Sequence, residues 1–534
     1  MLLTPIRQRH PRYHRSVEKS ICRVLAMLLC LLFVVSGCRA PSQSKVDELT
    51  IVIGARPSNL DPRLASDAWS DKISHLIFSP LLQRDGNGVL QPHLARAVDQ
   101  LDERTWAITL RRDVLFHDGR RLTAEDVVAT YNSILDPTLG SIKRQFLEPI
   151  EQVRAPDSHQ VVFRLKRPYA PFPQVLAGVG IAPAASLRQQ GLDFRNELIG
   201  SGPFAFAGEV NGEQLLLRRN HHWFNGKPRL ETLRFRVVPD ATVRVLELLH
   251  GSADLSQNDL PPHVVERLKK EPDLRVQTGP STLSKYLAFN LHHPPLDDLR
   301  VRQAIAHAIH REDIIRYKLR GLADLADSFL LPDSWAFSPA SQHYDYDPER
   351  ARQLLEAAGL HYGSKGEARL KLVYRTSMDQ TAVDVARIFQ RQLADVGIEL
   401  EVRSNEWGVF FSDIKQGDFD LYSLSAVGVT DPDWYRYVFH SDSMPPDGAN
   451  RPRYHNPRVD ELLDLGRRAG ELEQRRRAYS EVQAITSAEI PLLPLWYQHT
   501  VAVTRANVHD FAANPFADLS SLSRAWKSEG EPPL

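Results

Sequence analysis

The chain has 534 residues with 66 lysines and arginines balanced by 66 aspartates and glutamates, and only three cysteines. Balanced charge leaves no electrostatic reason to expect nucleic acid as a partner. The length is several times that of one hydrophobic core, so two or three lobes are expected.

The first forty residues read as a leader rather than as part of the fold. Arg7, Arg9, Arg12, Arg15, Lys19 and Arg23 precede an unbroken apolar run at 24–35, and Ser36, Gly37 and Cys38 follow at once. Basic flank, apolar run and small residues in that order are the parts of a secretory signal. The run is shorter than the roughly 20 apolar residues of a membrane-spanning helix. Val35-Ser36-Gly37-Cys38 resembles a bacterial lipobox, whose cysteine is acylated and becomes the first residue after cleavage; the alternative is an ordinary signal peptide that happens to contain a cysteine. Cys22 and Cys30 lie inside the leader, so the remainder keeps Cys38 alone, which excludes disulfides, Cys-based zinc sites and a catalytic cysteine.

Residues 38–46 are short and polar, as a tether would be. Strands are expected at 50–54, 106–110, 160–165 and 233–238. Thr123 with Asp126 opens a helix with Val127, Val128, Tyr131 and Ile134 on one side. Asp297 and Asp298 start another, where Val301, Ala304, Ile305, Ala308 and Ile309 have the spacing of one buried face. Asp347 caps a third that ends at Gly359. Residues 378–396 form a long amphipathic helix, followed by a strand at 398–403. Pro491 and Pro494 bound a short apolar piece, and residues 527–534 read as a disordered tail.

No phosphate loop, nucleophile elbow or HExxH pattern occurs, and Ser42 with Lys45 at S-x-x-K spacing falls in the tether. His221-His222 and His292-His293 are adjacent pairs, which point to opposite faces of a strand, so neither a metal nor another cofactor is expected.

The ordered set Asn59-Leu-Asp-Pro62, Leu76 to Leu82, Asp85 to Pro92, Leu110 to Gly119, Leu122 to Val127, Gly200-Ser-Gly-Pro-Phe204, Asn220 to Trp223, Phe289-Asn290, Pro295 to Ala304 and Asp431-Pro-Asp-Trp434 resembles the peptide/nickel class of bacterial extracytoplasmic solute-binding proteins. The resemblance runs from about residue 50 to about residue 505. It implies an α/β, periplasmic-binding-protein-like (type II, class C) two-lobe hinge fold with an additional third domain. The expected division is lobe I at 47–79, 199–280 and 485–526, the extra domain at 80–198 and lobe II at 281–484, with crossings near Gly279-Pro280 and Ser487. Function would be capture of a small-molecule or peptide ligand outside the cytoplasm by hinge closure, and delivery to the permease subunits of an ABC importer. The protein would be a monomer held to the membrane by a lipid on Cys38, with no enzymatic activity. A nickel or metallophore binder, or a hydrolase or sensor built on the same fold, are the alternatives.

The resemblance also suggests site residues. Trp407 stands where the family often places an aromatic against ligand side chains; otherwise it is a core aromatic packed with Phe410, Phe411 and Ile414. Tyr422 is a further cleft candidate, and Asp431, Asp433 and Trp434 open a helix after a loop. Peptide-binding members hold the ligand α-ammonium with an Asp shortly before the Asp-Pro step, but counting back from Pro432 reaches Gly428 or Val429. Either Asp431 or Asp433 has taken that role, or the ligand has no free α-amine.

Overall fold

The computed structural model describes residues 46–529 apart from 87, 191–197, 364–365 and 447, so the leader, Cys38 and nearly all of the tether lie outside the described residues. An 11-stranded mixed sheet runs through the molecule. Its order is Ile398–Asn405, Leu370–Ser377, Leu421–Ala426, Leu274–Phe289, Leu492–Arg505, Leu255–Gln257, Glu48–Ile53, Thr232–Val237, Gln214–Arg219 and Phe204–Val210, with Ala323–Leu325 joined laterally to Leu492–Arg505.

Two long antiparallel strands tie the halves together. Leu274 to Pro280 pair with Arg505 to His499, and Ser284 to Ala288 pair with Tyr497 to Leu492, with register shifts between Pro280 and Ser284 and between Lys285 and Tyr286. Proline has no N–H to give a ladder, so it is tolerated where pairing is interrupted. Pro280 and Pro494 both sit at these shifts, Pro494 opposite Tyr286. The piece expected to be short between Pro491 and Pro494 is therefore the start of a 14-residue strand. The second crossing also differs from expectation: Ser487 lies in the helix Leu472–Glu489, and the residue paired with Pro280 is His499.

Alternation along the strands divides the cores. Leu287 and Phe289 face the helices Leu299–Ala308, Pro348–Ala357 and Gln380–Ala394, whereas Tyr286 and Ala288 face Trp407–Gln416, Pro457–Arg468 and Leu472–Glu489. Residues 81–181 have a core of their own around a four-stranded antiparallel sheet covered by the helix Ala124–Leu135. Val301, Ala304, Ile305, Ala308 and Ile309 are all buried, and Asp298 and Asp347 cap their helices by accepting from Arg300 and Arg350 backbone N–H groups. The expected helix at 378–396 is shorter, Gln380–Ala394, because Asp379 is its N-cap.

Two family-like motifs explain each other. A Cβ on Gly200 or Gly202 would collide with the carbonyls of Ile77 and Leu76 at the end of the helix Ala68–Ile77. The Gly200 N–H donates to Nδ1 of His117 (3.2 Å), whose Nε2 lies 3.1 Å from the Gly202 carbonyl. That ring is a neutral tautomer, and burial pushes its pKa down to about 4.

Lys527 does not begin a disordered tail. Trp526–Lys527 pairs with Val508–His509, and the Lys527 ammonium is buried 2.9 Å from Asp254 and donates to the Glu48 carbonyl (3.0 Å). A desolvated cation with a partnered carboxylate holds this end of the chain in lobe I.

Candidate ligand cleft

Open α/β sheets bind ligands beyond the carboxyl ends of their parallel strands. Leu370–Ser377 is parallel to both Ile398–Asn405 and Leu421–Ala426, so the three strands end on one edge. Immediately past those ends stand Met378, Trp407 and Val427, at 69%, 54% and 71% exposure. Trp407 stacks on Phe411 (5.7 Å, 14°) at the start of a helix whose buried positions are Phe410 and Ile414. The core role on this helix falls to those two residues, and Trp407 stands largely clear of it.

Across the sheet, Glu48–Ile53 is parallel to Leu255–Gln257 and Thr232–Val237, giving lobe I its own carboxyl edge. Here the polar groups satisfy one another. Asp259 accepts the Gly54 N–H (2.6 Å), and burial pushes its pKa up. Lys72 lies over the Trp69 ring (4.9 Å); burial lowers its pKa while Asp259 and Asp518 oppose the shift.

Segment 80–198 reaches lobe II at several points. Arg84 donates to Gln174 (2.5 Å) and to the Thr430 hydroxyl (2.9 Å), and its buried charge is supported by Asp431 and Asp518. The Tyr169 hydroxyl donates to Asp433 (3.0 Å), and the Ala170 N–H to the Arg467 carbonyl (2.8 Å). Arg84 and Asp518 thus stand close to the loop that carries Thr430 and Asp431.

The sequence-derived residues fall into two groups. Asp431 and Asp433 both lie at this junction, each committed to an arginine: Asp431 accepts from Arg475 (3.0 Å), and Asp433 from Arg467 (2.9 Å). Burial raises the Asp431 pKa, with Arg475 opposing. Neither carboxylate offers a free acceptor to a ligand ammonium in this conformation. Trp434 packs on Phe329 (4.7 Å). Tyr422 is fully buried, edge-on to Phe419 (4.7 Å) and near Tyr286 (6.2 Å), so it belongs to the lobe II core, and its neighbour Arg451 leads out to Phe411 and Trp407.

Sequence reasoning passed over Arg84, Met378, Val427, Lys285 and Arg451. The signal for Met378 and Val427 was an apolar residue directly after a strand that runs parallel to its neighbour. Lys285 lies opposite Ser425 and Trp496 on a shared strand; burial pushes its pKa down to about 8, opposed by Asp379. Among the described residues no group of three His, Cys, Asp or Glu is placed to hold a metal ion, and no helix is long and apolar enough to cross a membrane.

A sheet shared by two lobes, with a third domain packed against them, is the architecture of extracytoplasmic solute-binding proteins. The chain belongs to the bacterial extracellular solute-binding proteins, family 5, whose sequence model matches residues 89–445. It is 31% identical over 507 residues to protein XP55 of Streptomyces lividans, covering 90% of each chain. It is 28% identical over 508 residues to di/tripeptide-binding protein 1 of Pseudomonas aeruginosa, covering 89% of this chain and 94% of that one. Among solved structures it resembles NikZ from Campylobacter jejuni in complex with Ni(L-His), with TM-score 0.81, 26% identity and coverage of 90% of this chain and 100% of that chain. The chain is thus a solute-binding protein of ABC importers, of the peptide/nickel class.

Proposed function

We propose that this protein is a monomeric extracytoplasmic lipoprotein, anchored through Cys38, that captures a peptide-like solute by hinge closure and presents the closed form to an ABC permease. The observation that carries the reading is the edge formed by Met378, Trp407 and Val427, three large apolar side chains left exposed beyond parallel strand ends. Singly exposed hydrophobics need no explanation, but a cluster at a cleft marks a binding surface. Peptide-binding relatives support the ligand class. The lobes divide at the Pro280–Ser284 shift on one strand and at His499 on the other. A ligand touching both sides stabilises the closed state only by its differential affinity for it. Because Asp431 and Asp433 already hold arginines, a ligand ammonium would be held by displacing Arg475 from Asp431, or by carbonyl oxygens alone.

Native mass spectrometry of the purified protein tests this reading. The expected result is a co-purified peptide-like species released on denaturation; a metal complex or no small molecule, together with no binding from a peptide pool, would overturn it. Cys38→Ser should move the protein from the membrane fraction to the soluble extracytoplasmic fraction. A parent recovered soluble and unacylated would overturn the anchor.

A further inference from the structure

A cavity of about 760 Å³ opens between the segment 135–151 and lobe II, where Phe411, Lys415, Tyr437 and Arg451 line it. Its two walls differ in how their charges are used. On the 135–151 side Glu148 pairs with Lys166 (3.2 Å) and Arg167 (2.8 Å), Glu151 pairs with Arg164 (3.3 Å), and Arg144 donates to the Leu135 carbonyl (3.0 Å).

The lobe II wall is different. The Arg451 guanidinium lies 5.1 Å over the Phe411 ring, and the Lys415 ammonium 5.7 Å from the same ring. Among the described residues neither cation has a carboxylate partner, and the buried Nε of Arg451 has no hydrogen bond. The charged groups of other elements do not relieve this. Arg451 is surrounded by Tyr286, Tyr422 and Tyr437, and burial keeps Tyr286 and Tyr422 neutral by raising their pKa values. A desolvated guanidinium without a counter-charge is costly, and a planar oxyanion matches its fork with two parallel bonds. Trp407, Phe411 and Lys415 recur at i, i+4 and i+8 on one helix face, so the face that carries the exposed aromatic of the cleft also lines the cavity.

We propose that this cavity is a subsite for a ligand carboxylate, bound bidentately by Arg451 with Lys415 beside it, so that the protein selects acidic solutes. The proposal rests on the cleft reading above and adds the ligand's charge to it.

Calorimetry on the full-length protein in detergent tests it with two tripeptides, Ala-Glu-Ala and Ala-Gln-Ala, which share termini and size. In the parent the Glu peptide should bind about tenfold more tightly or better, the difference that a charge-assisted hydrogen bond supplies. Arg451→Gln should abolish that preference, and Lys415→Gln should reduce it. Equal affinity in the parent, or a preference that survives in Arg451→Gln, overturns the proposal, and the parent comparison needs no variant to fold. If neither peptide binds, the peptide reading fails and glutarate decides the subsite separately. Binding to the parent but not to Arg451→Gln upholds the subsite, and no binding to the parent overturns it.

Discussion

The two carboxyl edges of the sheet are built from similar residues and end in opposite conditions. On the lobe I edge Asp259 holds the Gly54 N–H, and Trp69 is covered by Lys72. Deeper in the same lobe Lys527 neutralises Asp254. On the lobe II edge Met378, Trp407 and Val427 are exposed, while Lys415 and Arg451 have no carboxylate partner among the described residues. Interactions made within the protein contribute to folding; interactions left unmade are available to a ligand. Substitutions in lobe I should therefore change stability, and substitutions on the lobe II edge should change binding.

The largest expected effect is in lobe I. Lys527→Met removes the buried cation beside Asp254 and leaves that carboxylate the Thr50 N–H (2.8 Å) and the more distant Arg505, which costs about 3–5 kcal/mol. Denaturant unfolding should show that loss, with the affinity of the folded protein for its ligand unchanged. A loss under 1 kcal/mol would mean that the pair is not the lobe I anchor described here.

Acid should act next, through His117, at the contact of the extra domain with lobe I. Its folded pKa, about 4, lies below the ordinary 6.5. The unfolded chain therefore takes up a proton first as pH falls. Stability present above pH 6.5 is lost progressively toward pH 4, by about 3 kcal/mol for this group at ~1.4 kcal/mol per pKa unit. His93, also pushed down to about 4 by burial, acts in the same direction. Nuclear magnetic resonance titration of the His117 ring should show no protonation between pH 7 and 5. A midpoint near 6.5 would contradict its burial.

How much was visible beforehand follows the same division between local and distant partners. Helix caps at Asp298 and Asp347, and the buried stripe from Val301 to Ile309, are set within a few residues and were readable from spacing. The resemblance placed a crossing near Gly279-Pro280, and the ladder shifts register between Pro280 and Ser284. The partners of Asp431 and Asp433 were not readable, since Arg475 and Arg467 lie on later helices brought back only by the fold. Met378 was placed inside a helix because its apolar side chain continued the amphipathic pattern, whereas Asp379 starts that helix one residue later. Lys527 looked like a tail because its partner Asp254 is remote in sequence.

The smallest effect sharpens the contrast from the lobe II side. Trp407→Ala removes an exposed side chain, so stability should change by less than about 0.5 kcal/mol. Affinity for the ligand should fall by about 1–2 kcal/mol, read by calorimetry. A large stability loss with intact affinity would return Trp407 to the core.

Small-angle scattering with and without saturating Ala-Glu-Ala tests the central claim most directly, that ligand closes two lobes about the Pro280 and His499 crossings. Saturation established by calorimetry should come with a smaller radius of gyration and unchanged helix content by circular dichroism. An unchanged radius of gyration at proven saturation would contradict the closing-hinge account.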